Sequence, residues 1–201
     1  INQNCGTVYI ISGDDGYNAG NNRASQIFGV REETTPDCRY VASSLLVSGF
    51  SLNINGGLVV ANSASGDHDS LDSNANIYLN GGYVCANGQE PLDCGDNNNS
   101  ISYNGGSVIT MTAGNTNLTT RYSFLDSSNN VICSFLSGSG GGTSSLNNCT
   151  VQSGGTVSGG TSILSQAGSY AVTIGGTLSG GSSVGQGSSS ENPGQGGPGQ
   201  W

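Results

Sequence analysis

Acidic and amide side chains recur in three short windows of the chain, and their types suit the binding of a hard cation. Each window begins with an acidic residue, has one apolar residue two places on, and then has Asp or Asn, which puts Asn18, Asp72 and Asp93 in register. Repeated oxygen donors beside one inward apolar position are typical of stacked turns that share calcium. The sequence therefore predicts a calcium site formed by Asp14, Asp15, Asn18, Asp67, Asp69, Asp72, Asn74, Asp93 and Asp96.

Clustered carboxylates repel one another, so neighbouring turns that carry them are costly unless a cation or protons intervene. An EF-hand is excluded, because Leu71 stands where the loop after Asp67 and Asp69 needs its next ligand, and no Glu closes it. The competing interpretation is that the windows are solvated turns whose Asp and Asn side chains satisfy backbone groups.

A repeat in the chain indicates the elements that position these windows. Alternating apolar and polar residues run into a Gly-Gly pair and resume as a strand at 50–60, 76–85 and 100–109, with looser echoes at 150–157 and 171–178. The second Gly stands at 57, 82, 106, 155 and 176, so the spacings are 25, 24, 49 and 21. Short strands at this period predict an all-β fold, a single-stranded parallel β-helix over residues 1–178. A β-sandwich is the alternative, because short strands with turn signals also suit it.

Three other segments depart from the repeat. Residues 23–40 are the most charged and are predicted to form a loop or lateral insertion. Residues 119–136 hold two apolar runs around a five-residue turn at 126–130, which predicts a closing β-hairpin. Residues 179–201 are rich in Gly, Ser, Gln and Pro and are predicted to be an extended tail.

The charge balance excludes one class of partner. The chain has a net charge of -9, no lysine, and only Arg23, Arg31, Arg39 and Arg121 as cationic side chains. A phosphate backbone would be repelled, so nucleic acid is not an expected partner. No long apolar span is present, and the absence of an initiating Met leads us to expect a processed, secreted or cell-surface protein without a membrane span.

The six cysteines point to an oxidising compartment. Zinc would need closely spaced Cys pairs or several His, but no CxxC occurs and His68 is the only histidine. Six cysteines allow 15 pairings, and we favour the shortest loops: Cys5 with Cys38, Cys85 with Cys94, and Cys133 with Cys149. N-glycosylation sequons begin at Asn98, Asn117 and Asn148.

Several motifs resemble those of bacterial cell-surface carbohydrate-binding β-helix proteins from cellulose-degrading clostridia. They are Gly13 to Ala19, Asp69 to Asn74, Asn80 to Val84, Leu92-Asp93, Asp126 to Ile132, and Gly168 to Gly176. The resemblance implies a right-handed parallel β-helix like that of pectate lyases, bound calcium, and binding of cellulose-like or acidic plant polysaccharides without catalysis.

On this resemblance we expect a non-enzymatic polysaccharide-binding protein with no catalytic residues. Exposed aromatic residues would supply the sugar contacts, and the candidates are Tyr78, Tyr83 and Tyr103. The alternative is a structural subunit of an extracellular filament built by stacked β-helices, with Trp201 in the tail as an assembly contact. A polysaccharide lyase is the third possibility, and one of the four arginines would then be its base.

Overall fold

The computed structural model describes residues 1–12, 16–19, 26–27, 30–33, 51–63, 69–95, 99–111, 118–138, 140–163 and 172–185. Every regular element in these residues is a β-strand, which confirms the all-β prediction. The strands up to residue 111 are β1 (Asn2–Gln3), β2 (Thr7–Ser12), β3 (Tyr17–Ala19), β4 (Gln26–Ile27), β5 (Val30–Glu33), β6 (Leu52–Ile54), β7 (Leu58–Ser63), β8 (Asp69–Ser73), β9 (Ile77–Leu79), β10 (Tyr83–Asn87), β11 (Glu90–Cys94), β12 (Ile101–Tyr103) and β13 (Ser107–Met111).

These strands form four successive coils, and each coil adds one strand to each sheet it reaches. Sheet A has the order β1-β6-β9-β12, and all its pairs are parallel. Sheet B contains β2, β7, β10 and β13 in parallel, and β5 and β16 (Gly142–Ser145) pair antiparallel at its two edges. Sheet C contains β3, β8 and β11 in parallel, with β4 antiparallel at one edge. Parallel stacking of coils is therefore present in residues 1–111.

The interior of the stack is filled by alternate residues of the short strands. Leu52 and Ile54 of β6 lie directly under Ile77 and Leu79 of β9, and none of the four side chains is exposed to solvent. The residues between them face outward, as a period of two requires. Each such side chain contributes roughly 1.5–3 kcal/mol through burial, and the two middle coils of sheet A carry one at both inward positions.

The second part of the chain pairs differently. Its strands are β14 (Thr120–Asp126), β15 (Val131–Ser137), β16, β17 (Cys149–Ser153), β18 (Thr156–Ser158), β19 (Thr161–Ile163), β20 (Val172–Ile174), β21 (Thr177–Ser179) and β22 (Ser182–Ser183). All their pairings are antiparallel. The prediction of a single solenoid through residue 178 is therefore wrong, because the late Gly-Gly echoes belong to antiparallel strands.

The predicted hairpin is confirmed, and it lies in a sheet that packs against the outer face of sheet B. Strands β14 and β15 pair antiparallel around residues 126–130. The Asp126 carboxylate accepts the backbone N–H groups of Ser128 and Asn130, each at 2.8 Å, and the Asn130 side chain amide at 3.0 Å. These hydrogen bonds lower the pKa of Asp126, and the bond from the Asn130 side chain has the largest effect. Asn129 takes the left-handed conformation that closes the turn, at φ 62°.

A second apolar core joins the two parts. The outer face of sheet B packs on sheet D, whose order is β19-β20-β15-β14-β17-β22. Tyr83 of β10 lies against Phe124 of β14, with ring centroids 5.2 Å apart, and Phe124 lies 6.0 Å from Phe135. Sheet B is thus buried on both faces. This explains why β7 reads as a continuous apolar run, Leu-Val-Val-Ala, rather than an alternating one.

Two of the predicted disulfides are not formed. Cys85, Cys94, Cys133 and Cys149 are free and buried. Cys85 faces the second core and Cys94 faces the interior of the stack, so their thiols lie on opposite sides of the sheets. Cys133 and Cys149 lie on β15 and β17, with β14 between them. Two strand spacings are about 10 Å, beyond the roughly 7 Å that a disulfide spans between Cα atoms.

Cys5 is disulfide-bonded, and Cys38, its predicted partner, lies outside the described residues. In the predicted insertion at 23–40 the described pieces are β4 and β5, which cover the first-coil edges of sheets C and B. The tail beyond residue 185, including Trp201, lies outside the described part of the chain.

Candidate functional site

The three stacked carboxylates of Asp69, Asp72 and Asp93 form the candidate site. Asp69 and Asp72 lie on β8, and Asp93 lies on β11 directly opposite Asp72 in the parallel register. One carboxylate oxygen from each of the three lies within 4.8 Å of the others, and all three residues are half-buried. The sequence prediction grouped these three residues in one site, and the structure brings their carboxylates together.

The local fold explains why these side chains converge. Leu71 and Leu92 are opposite each other and point into the core, so the next residues along each strand, Asp72 and Asp93, point outward one above the other. The backbone at Asp69 is held by two hydrogen bonds to its carbonyl oxygen, from Gly16 N–H and from the Ser63 hydroxyl, both at 2.9 Å. The position of the start of β8 is therefore fixed by its neighbours.

Asn18 extends this column into the first coil. Its register partner is Asp72, and its side chain amide donates a 2.8 Å hydrogen bond to Asp72 Oδ2. The register of Asn18, Asp72 and Asp93 that the sequence repeat predicts is confirmed. Because the amide of Asn18 points its donor at Asp72, it orients and partly neutralises that carboxylate.

The donor set fits calcium. Calcium takes six to eight oxygen ligands at 2.3–2.6 Å and accepts flexible geometry. Asp69, Asp72 and Asp93 offer only oxygen, from two coils, at separations that one ion can bridge. Three carboxylates this close repel one another without a cation or bound protons. An ion here would connect the second coil to the third.

The other predicted ligands do not join this cluster in the described part of the chain. The Asn74 side chain is exposed, and its carbonyl oxygen accepts from Asn99 Nδ2 at 3.4 Å. The remaining predicted ligands lie outside the described residues, and they are Asp14, Asp15, Asp67 and Asp96.

The three candidate sugar-binding tyrosines do not form one row. Tyr78 points outward from sheet A, and its hydroxyl accepts the Asn76 side chain amide at 2.8 Å. Tyr103, on the last strand of sheet A, is 38% exposed. Tyr83 packs against Phe124 beside the second core, where burial raises its pKa. Tyr78 is therefore placed on the outward face for contact with a ligand. Tyr103 aligns with the buried Leu79 on the inner side of the last coil, and Tyr83 is a packing residue.

The sequence prediction missed a ladder of asparagines along one corner of the stack. Asn4, Asn55, Asn80 and Asn104 each follow a strand of sheet A, and all four are exposed. The side chain amides of Asn55, Asn80 and Asn104 each donate to the side chain oxygen of the Asn one coil below, at 2.9, 2.8 and 2.7 Å. The sequence signal for this ladder was the Asn that stands directly before three of the Gly-Gly pairs. The sequence prediction took only the period from these pairs.

The remaining predicted residues are placed individually. Asn148 is exposed in the turn before β17 at φ 53°, and Thr150 of its sequon is also exposed. Asn98 and Asn117 lie outside the described residues. Arg121 is half-buried on sheet D and donates to the Ser134 hydroxyl at 2.9 Å. This arginine is therefore engaged in a structural contact.

The described residues include no helix long and apolar enough to cross a membrane. Comparison of the chain with protein-family models, with curated proteins and with solved structures finds no match in any of the three.

Proposed function

We propose that this chain is a non-enzymatic polysaccharide-binding protein of the cell exterior, with calcium supporting its fold. Its first part would be a right-handed parallel β-helix, as the resemblance to the clostridial surface proteins implies. The observation that carries the proposal is the parallel stack in residues 1–111. Such a stack repeats the same outward positions about every 4.8 Å, and a long polymer can lie along a flank of that kind.

The arrangement of the carboxylates favours binding over cleavage. A glycosidase places two carboxyl groups on either side of the bond that it breaks. Asp72 and Asp93 instead lie side by side on one face, in the same register of neighbouring strands. A lyase would need a base beside a calcium-bound uronate. Arg121, the arginine whose side chain lies within the described part of the chain, is on another sheet and is bonded to Ser134.

Retention on polysaccharide tests the binding proposal. The protein should remain on insoluble cellulose or on immobilised polygalacturonate after washing, and albumin should not. Incubation with soluble polygalacturonate should leave its absorbance near 235 nm, roughly the band of unsaturated uronates, unchanged. Growth of that absorbance would make the protein a lyase, and failure to bind any glycan would remove the proposal.

Titration calorimetry tests the calcium proposal directly. Protein freed of metal with a chelator should bind calcium, and Asp72→Asn and Asp93→Asn should each weaken binding at least tenfold, because each removes a charged ligand. Asp126→Asn is the matched control, since that carboxylate caps a hairpin turn on another sheet. Equal binding by all four proteins, or none by the wild type, would contradict a site at these residues.

A structural subunit of a filament, glycosylated at its sequons, is the second candidate. The observation in its favour is that sheet A ends in β1 without a covering antiparallel strand among the described residues, whereas both edges of sheet B are covered. An open strand edge can pair with another chain, and Trp201 in the tail is the proposed contact. Electron microscopy of native material should show fibres with a regular axial repeat if this candidate is right, and dispersed particles if it is wrong.

A further inference from the structure

The outer face of sheet A is made of uncharged amide, hydroxyl and phenol groups. Asn2 of β1 and the middle residues of the other three strands point outward. The parallel register aligns them as Asn2, Asn53, Tyr78 and Ser102. The asparagine ladder of Asn4, Asn55, Asn80 and Asn104 runs beside them. A third column on the other side holds Ser51, Asn76 and Ser100. We call these three columns the amide face.

The amide face has no charged side chain, although the protein as a whole is acidic. The chain has a net charge of -9, and the carboxylates of Asp69, Asp72 and Asp93 lie on sheet C. No Asp, Glu or Arg stands in the three columns. Among the described residues, the formal charge that contacts them is the amino terminus of Ile1, which donates to the Ser51 carbonyl at 2.9 Å and is half-buried. A neutral polymer can therefore approach this face without desolvating a side chain charge.

Hydrogen bonds within the face fix its amides before any ligand arrives. An Asn side chain has two N–H donors and an oxygen with two lone pairs. Each donating ladder amide uses one N–H for the Asn below, which leaves the second N–H for an external acceptor. Asn76 is held by the Tyr78 hydroxyl on one side and by the Ser100 N–H on the other, both at 2.8 Å. Side chains that are already ordered lose little entropy on binding.

Glycine at the ladder corner lets the coils stack closely. A Cβ on Gly56, Gly81 or Gly105 would stand 2.5 Å from the backbone carbonyl oxygen of the ladder Asn one coil below. Only Gly lets successive corners stack this closely. The ladder amides therefore repeat at the coil spacing of about 4.8 Å.

We propose that the amide face is the binding surface for an uncharged polysaccharide, a neutral glucan chain lying across the coils. This inference rests on the proposed function and assigns it a surface and a class of glycan. Sugar hydroxyls both donate and accept, which matches the remaining N–H and C=O groups of the ladder, and the ring of Tyr78 gives a sugar an apolar surface to stack on. Calcium on sheet C is then not part of the glycan contact.

Affinity electrophoresis in gels that contain hydroxyethylcellulose or polygalacturonate tests this proposal, run once with calcium and once with a chelator, on protein shown by circular dichroism to be folded in each buffer. Wild-type protein should be retarded. Ser102→Asp puts a charge on the face at a half-exposed position and should weaken retardation at least tenfold, as should Tyr78→Ala, which removes the ring. Thr156→Asp is the matched control, because Thr156 is exposed on β18 of another sheet and adds the same charge. It should bind like the wild type.

The outcomes separate this inference from the proposed function. If wild type and Ser102→Asp are retarded equally while both are folded by circular dichroism, the glycan binds elsewhere and the amide face is wrong, although polysaccharide binding stands. Binding to polygalacturonate that requires calcium, without binding to hydroxyethylcellulose, also overturns the amide face. If the wild type binds neither polymer, both proposals fail.

Discussion

The two parts of the chain use the same Gly-Gly phrase to build different corners. In the first two Gly-Gly pairs of the parallel stack only the second glycine has positive φ, at Gly57 and Gly82, with φ 83° and 76°, and in the third pair neither glycine does. In the antiparallel part both glycines do, as at Gly154 and Gly155, with φ 76° and 75°. The first kind of corner passes the chain to the next sheet of a coil. The second occurs in two segments, 149–163 and 172–185, that run antiparallel to each other.

This difference shows what each part is stabilised by. The stack has a continuous apolar interior, in which inward residues of one coil rest on those of the next. The segments that carry the double-glycine corners are mostly exposed, and Val157 and Leu178, opposite each other, are only half-buried. We therefore expect the stack and the core between the parts to determine global stability, and the glycine-cornered segments to contribute little.

Apolar truncation in each part gives the largest expected contrast. Ile77→Ala removes a fully buried side chain between two coils and should lower the free energy of unfolding by about 2–5 kcal/mol. Val157→Ala, in the exposed part, should cost less than about 1 kcal/mol. Denaturant unfolding followed by circular dichroism measures both. Equal losses would show that the two parts share one core of equal importance.

Glycine substitution compares the two corners. Gly82→Ala forces an L-residue to φ 76° and puts a Cβ 2.5 Å from the Gly57 oxygen, so strain and overlap together should cost about 2–4 kcal/mol. Gly154→Ala meets the same φ, but its Cβ has open space, so only the strain of about 1–2 kcal/mol applies. Similar unfolding midpoints for the two variants would contradict the tight stacking of the first corner.

Alkaline pH should weaken the core between the two parts. Burial raises the pKa of the Cys85 thiol from 9.0 to about 12, and it also raises the pKa of Cys133. A folded pKa above the unfolded one stabilises the protein below pH 9.0, and that stability is lost as pH rises toward 12. The loss should reach about 1.4 kcal/mol per pH unit for each thiol. Unfolding at pH 8 to 11 should show a smaller slope for Cys85→Ala than for wild type; identical slopes would contradict the burial of this thiol.

Counting the thiols that react with a labelling reagent tests the burial of the cysteines without changing the stability of the protein. The four free cysteines are buried, so a thiol reagent should label none of them in the native protein at neutral pH. It should label four after unfolding and six after unfolding with reduction, because Cys5 is disulfide-bonded. No labelling in the unfolded, unreduced protein would restore the disulfides that the sequence predicted.

The sequence predicted the strand period, the closing hairpin and the acidic column because each depends on local signals. The spacing of Gly57, Gly82 and Gly106 matches one coil each. The column of Asn18, Asp72 and Asp93 follows from the pattern that the three acidic windows share. The direction of pairing could not be read from the late repeats, since a three-residue strand between glycines looks the same in parallel and antiparallel sheets. Loop length was a poor guide to disulfides, because which face a cysteine occupies depends on sheets formed by distant residues.

The most direct test of the account is thermal melting of the protein with excess calcium and then with a chelator. An ion that binds only the folded state raises stability with the logarithm of its concentration once that concentration exceeds Kd. We predict a higher Tm with calcium for the wild type and a much smaller shift for Asp72→Asn and Asp93→Asn, while Asp126→Asn keeps the wild-type shift. Hydrogen exchange in β8 and β11 should slow with calcium in the wild type and in Asp126→Asn. Melting curves of the wild type that coincide with calcium and with chelator would contradict the claim that calcium joins the second and third coils.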